Sequence, residues 1–127
     1  MITTRIRDLI RPVVVVLALL AHPAMAEEIE LAVETAALAS DSLDLPAVRI
    51  VLTPEARKTV AKLTLQHIGD VIELRVDGDL VMAPVVQSPI LEGVVMISGS
   101  MTQAEARALA ERLADRTARI TLTPVAR

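Results

Sequence analysis

Asp77-Gly78 stands between two apolar runs, and this pair limits the fold of the chain more than any other feature. A two-residue type I′ turn needs positive φ at both central positions, which Asp and Gly tolerate. Ahead of it, Asp70 to Val76 alternates, with Ile72, Leu74 and Val76 on one face and Glu73 and Arg75 on the other. Behind it runs Leu80-Val81-Met82-Ala83, the predicted returning strand. Pro84 and Pro89 have no N–H to give to a ladder, so this strand is predicted to lie at a sheet edge or to end there.

Two helices flank the hairpin. Thr53-Pro54-Glu55 combines a cap, a first-turn proline and an acid at the positive end of the helix dipole. Ala56, Val60, Leu63 and His67 then recur at helical spacing, and Gly69 supplies the stop. Thr102-Gln103-Ala104-Glu105 is a capping box. It opens a helix whose stripe is Ala106, Leu109, Ala110 and Leu113, with Arg107, Glu111 and Asp115 toward water. Glu28 to Leu38 carries Ile29, Leu31 and Val33 and is predicted as a strand, although Ala36-Ala37 also suits a helix. Ser40 to Pro46 is a polar connector, and Val48 to Leu52 a β-branched strand. Gly93 to Ser98 is apolar on both faces, the pattern of a central strand or one covered on both sides. Arg119 to Thr123 alternates and closes the order β-β-α-β-β-β-α-β. The expected fold is α+β, a two-layer sandwich of a mostly antiparallel sheet with two helices on one face.

The beginning of the chain reads as an address. Arg5, Arg7 and Arg11 precede the apolar run Pro12 to Ala21, and Ala24-Met25-Ala26 offers the small-x-small pattern of a cleavage site. Residues 1–26 are therefore expected to be a secretory signal peptide, cut after Ala26, with Ala24 and Ala26 as its recognition residues. The apolar run is about half of the roughly 20 residues that span a bilayer. The expected organisation is 1–26 signal peptide, 27–46 N-terminal strand and connector, and 47–127 an α+β domain, a periplasmic protein with no stable membrane span once cleaved. Residues 27–127 carry 10 basic and 15 acidic residues, a net charge near −5. Acidity of that size, with no aromatic residue to stack on bases, argues against nucleic acid as a partner. The chain has no cysteine, which removes disulfides, thiolate metal sites and a thiol nucleophile, so packing of the 32 Val, Leu and Ile residues within 27–127 must hold that part of it.

Side chains able to do chemistry are few. His67 is the one histidine after residue 26 and falls where a helix ends, a position that favours a cation. Ser88, Ser98 and Ser100 lack a nucleophile-elbow context. Asp77 and Asp79 flank Gly78 without the twelfth-position carboxylate of a calcium loop, so turn chemistry accounts for them. Met82 and Met96 suit either an adaptable surface or gaps in an aliphatic core, and the core is the expectation. No catalytic, cofactor-binding or metal-binding residue is assigned.

From Val48 to Leu113 the chain resembles the head subdomain of the first periplasmic domain of SecD and fused SecDF, accessories of the Sec translocon. The resemblance rests on ordered landmarks: Leu63-Thr64, Gly69, Val76-Asp77-Gly78, Ala83-Pro84, Ile90, Gly93, Ile97-Ser98-Gly99, Thr102, Glu105-Ala106, Leu109-Ala110 and Leu113. It implies the fold of that head and a habit of contacting exported polypeptide. SecD's six membrane helices have no counterpart here, and its base subdomain is reduced to at most Ile29–Val33 and Ile120–Leu122. A head standing alone would have no group in the membrane field and is not expected to draw work from a proton gradient.

The expected function is a non-enzymatic periplasmic binding or accessory module that contacts exported polypeptide or Sec components. Its candidate polypeptide-binding edge is Leu80, Val81, Met82, Ala83 and Pro84, where backbone hydrogen bonds could add a strand. The alternative is a self-associating structural or assembly protein of the cell envelope. No cofactor is expected, and the oligomeric state is left open.

Overall fold

The computed structural model describes residues 27–126, so the predicted signal peptide, with Ala24 and Ala26, lies outside the described residues. Seven strands and two helices follow in the order β1 (Ile29–Leu31), β2 (Val33–Ser40), β3 (Pro46–Leu52), α1 (Pro54–Gln66), β4 (Val71–Val76), β5 (Asp79–Met82), β6 (Val94–Ser98), α2 (Gln103–Ala114) and β7 (Ile120–Val125). The fold is α+β and every strand pairing is antiparallel. The strands form two sheets, a four-stranded one ordered β1-β7-β4-β5 and a three-stranded one ordered β2-β3-β6.

The division arises at Ala32. Ile29 to Leu31 pair with Ile120 to Leu122 in one sheet, and Val33 to Ser40 pair with Pro46 to Leu52 in the other. The chain changes sheets between them, and the Ala32 carbonyl accepts from Thr53 N at 3.2 Å. The strand expected from Glu28 to Leu38 is thus two strands. Ala36 and Ala37 extend because Ile50 and Arg49 stand opposite them, a tertiary pairing that overrides alanine's helical preference.

Local signals set the remaining elements. Thr53 Oγ1 accepts from Ala56 N at 3.3 Å with Pro54 in the first turn, and Thr102 and Glu105 exchange both bonds of the capping box. Asp77 (φ 52°) and Gly78 (φ 89°) make the hairpin turn. Asp77 also ties three elements together. Its N–H donates to Arg119 O at 2.9 Å, its Oδ1 accepts from Arg119 N at 3.0 Å, and its Oδ2 pairs with Arg112 of α2.

The core lies between the layers. β4 alternates as its sequence implies, with Ile72, Leu74 and Val76 buried beside Ile120 and Leu122 of β7. Val48, Ile50, Val95 and Ile97 come from the second sheet, Val60 and Leu63 from α1, and Ala106, Ala110 and Leu113 from α2. Both helices touch β3, and α2 also lies along β2. β6 departs from expectation: it is an edge of the three-stranded sheet, paired with β3 alone, and only Val95 and Ile97 are buried. Its apolar outward residues Val94 and Met96 are half-exposed, so their hydrophobicity reports a partly covered face and not a second ladder partner.

Candidate binding site: the β5 edge and the cavity beside it

The predicted edge is an edge. β5 has β4 as its sole ladder partner among the described residues, and Leu80 is 51% exposed. The pairing is irregular. Leu74 faces Met82 and Arg75 faces Leu80, which leaves Val81 as an extra residue, a β-bulge. The Val81 carbonyl oxygen lies near Gly99, just past β6, where an added Cβ would stand 4.0 Å from it. Val81 and Met82 pack against the core, whereas Ala83 and Pro84 are exposed.

Past Met82 the chain keeps to β4 without regular pairing. Ile72 N donates to Pro84 O at 3.0 Å, Val85 bridges to Val71, and Val86 exchanges bonds with Asp70 O and Gly69 N. Pro84 takes part through its carbonyl alone, since its ring nitrogen has no N–H to return to β4. The segment then crosses to α1. Thr64, buried and polar, gives its hydroxyl proton to Val60 O at 2.7 Å and accepts from Ile90 N at 2.9 Å. Arg57 Nε donates to Leu91 O at 2.8 Å, and Gly93 (φ 72°) passes so close to Arg57 that a Cβ would come within 3.0 Å of its side chain.

Between these anchors lies an apolar cavity of about 250 Å³. Ile72, Leu74, Val95 and Leu122 form its floor, Met82 and Thr64 its sides, and residues 84–88 with Ile90 its rim. No ionisable residue lines it, and the polar residues among its lining are Thr64, Gln87 and Ser88. Its volume falls just below the roughly 300–1,000 Å³ of small-molecule pockets and suits one or two apolar side chains. At the neighbouring end of the sheet, Val85, Val71 and Val125 stand in one row across three strands, with Val85 and Val125 exposed. The centre of that outer face is polar, with Glu73 paired to Arg75 and Thr121 and Thr123 alongside.

The reactive side chains are not brought together. His67 caps α1, and its Nδ1 stands 3.0 Å from Asp70 Oδ2, with no hydrogen bond from it to Ser88, Ser98 or Ser100 among the described residues. Ser88 lines the cavity, Ser98 ends β6 and Ser100 is exposed in the turn before α2. Among the described residues no three His, Asp or Glu gather as metal ligands would. Asp79 is exposed at the start of β5, and Met96 is half-exposed on β6. The carboxyl of Asp115 is held below the usual carboxylate range by the Thr117 hydroxyl first and the Thr117 N–H second, at the end of α2 and away from the cavity.

Sequence reasoning named the edge and missed the cavity. Thr64, Pro84 and Ile90 line it and Gly93 belongs to its anchors, yet nothing in their spacing shows that they meet.

Comparison with known proteins agrees with this architecture. The family model described as SecDF, P1 head subdomain, matches residues 19–115. The protein translocase subunit SecD of Dictyoglomus turgidum is 34% identical over 79 residues, covering 62% of this chain and 20% of that protein. The SecD of Thermobaculum terrenum is 37% identical over 65 residues, covering 51% of this chain and 12% of its own length. The chain therefore spans a fifth or less of these relatives. Among solved structures, SecDF in its super-membrane-facing form superposes with a TM-score of 0.61 at 31% identity, covering 64% of this chain and 11% of that one. A second SecDF structure, of a membrane component that enhances protein export, gives a TM-score of 0.55 at 28% identity over 65% of this chain and 36% of its own. With its hairpin, its two capped helices and its cavity in place, the chain belongs to the SecDF P1 head subdomain family.

Proposed function

We propose that this chain is a non-enzymatic accessory module of protein export, placed in the periplasm by its N-terminal segment. In this reading it contacts exported polypeptide or a Sec component around Leu80–Pro84. The observation that carries the reading is the apolar cavity beside β5, which offers apolar burial and lacks any ionisable group for acid–base work. The half-covered bulge at Val81 shortens any ladder there, so side-chain insertion, more than strand addition, supplies the binding energy. A bulky apolar side chain of a passing polypeptide fills the cavity while Val85 and Leu80 flank it. Such contacts are weak and reversible, as suits a module that must release its client.

A photoreactive side chain at Val85, installed in the chain as it is expressed in cells, tests this reading. Cross-links to exported precursors or Sec subunits are expected at Val85 and not at the exposed Leu43 in the connector. Equal yields at both positions, or none at either, would remove the site.

A further inference from the structure

β2 presents a second edge, and it is regular from Thr35 to Ser40. Leu52 N donates to Gly93 O at 2.8 Å, which turns Leu52, Ile50 and Val48 toward β6, and Val51, Arg49 and Ala47 toward β2. Their partners Thr35, Ala37 and Ala39 face β3, so Ala36, Leu38 and Ser40 point their N–H and C=O groups outward. β3 is the sole ladder partner of β2 among the described residues. No proline interrupts this stretch, and its bulge, at Glu34, sits at one end. A regular edge of this kind is a template for another strand.

We infer that the Ala36–Ser40 edge of β2 receives an extended polypeptide segment that carries a carboxylate beside Ala37. Thr35, Ala37 and Ala39 are small and lie on the outer face, so large side chains of an incoming strand meet no obstruction there. Arg49 stands directly across from Ala37 on that face, exposed and in no ion pair among the described residues. Extended across the Ala37 methyl, its guanidinium would meet a carboxylate on the added strand. On the other face Ala36 and Leu38 continue the core beneath α2 and favour apolar neighbours. A second copy of the chain fits poorly. The window between Glu34 and the Asp41–Asp44 turn is a few residues long, far from the roughly 1,200–2,000 Å² of a stable interface, and both copies are acidic. This inference shares with the proposed function the polypeptide class of partner, but it uses the other sheet.

The test is amide exchange and chemical-shift mapping of the full chain with the blocked heptapeptide Val-Thr-Val-Glu-Val-Thr-Val. Slower exchange is expected at Ala36, Leu38 and Ser40, with binding weakened about tenfold by Ala36→Pro, which removes an outward N–H and spares the β3 ladder. Replacing the central glutamate by lysine should weaken binding about threefold, and Arg49→Ala should erase that difference. Where Ala36→Pro lowers the melting temperature, the Arg49→Ala comparison decides alone. Shifts confined to residues 80–91 would overturn the β2 inference and leave the cavity reading standing. Concentration-dependent dimerisation that protects β2 without peptide would overturn it in favour of self-pairing.

Discussion

At the β5 edge an extra residue, Val81, breaks the register in mid-strand and Pro84 interrupts the ladder just beyond it; at the β2 edge the bulge sits at one end, at Glu34, and Ala36, Leu38 and Ser40 turn their backbone groups outward while α2 lies along the strand. The sheets differ inside as well. The four-stranded sheet adjoins a cavity of about 250 Å³ beside Leu74, whereas Ile50 of the three-stranded sheet is fully enclosed under the helices. The lesson is that strand position alone does not define a binding edge. A blunted edge beside a cavity suits side-chain insertion, and a regular edge of small residues suits a ladder.

The largest expected effect concerns the two interiors. Ile50→Ala should cost toward the upper end of ~2–5 kcal/mol and Leu74→Ala toward the lower end, because part of the surroundings of Leu74 is already void. Urea unfolding checks this, and equal losses would mean that the cavity closes in solution. Next comes the anchor of the cavity rim. Thr64→Val keeps shape but leaves Ile90 N without its acceptor, at about 1–3 kcal/mol, and exchange should quicken at Ile90 more than anywhere in β2. Asp77→Ala should cost about 1–2 kcal/mol by placing alanine at φ 52° and freeing Arg112, loosening the β5 hairpin before the β2 edge. The smallest effect is at Asp115. Its folded carboxyl titrates below the unfolded one, so it stabilises above the unfolded pKa and loses that contribution as pH falls through the folded pKa. Asp115→Asn should flatten the acid limb of the melting temperature slightly, and an unchanged limb would show that the Thr117 bonds do not persist in solution.

Much of this was legible in the sequence where a short-range signal decides. Asp77-Gly78, Thr53-Pro54 and the Thr102–Glu105 box act within a few residues, and each forms as expected. The alternation of β4 and the edge position of β5, signalled by Pro84, depend on one neighbour and were also readable. The break at Ala32 was not, because Ile29 to Leu38 carries one continuous apolar pattern while its halves pair with different strands, the first with β7 at the other end of the chain and the second with β3 next to it. β6 reads as central because apolar content reports burial and does not name the ladder partner. The cavity is invisible to any local pattern, since α1, β4, β5, the 84–90 segment, β6 and β7 all contribute a wall.

The central claim is that the cavity beside β5 takes side chains of non-native polypeptide. Titration of the isotopically labelled chain with an unfolded exported precursor, read at every backbone amide, tests it most directly. The account predicts saturable shifts at Met82, Val85, Val86 and Ile90 that vanish when Val95→Trp fills the cavity in a chain that still folds. Saturable binding that the filled cavity leaves unchanged would contradict it, as would no shift at any of those four amides.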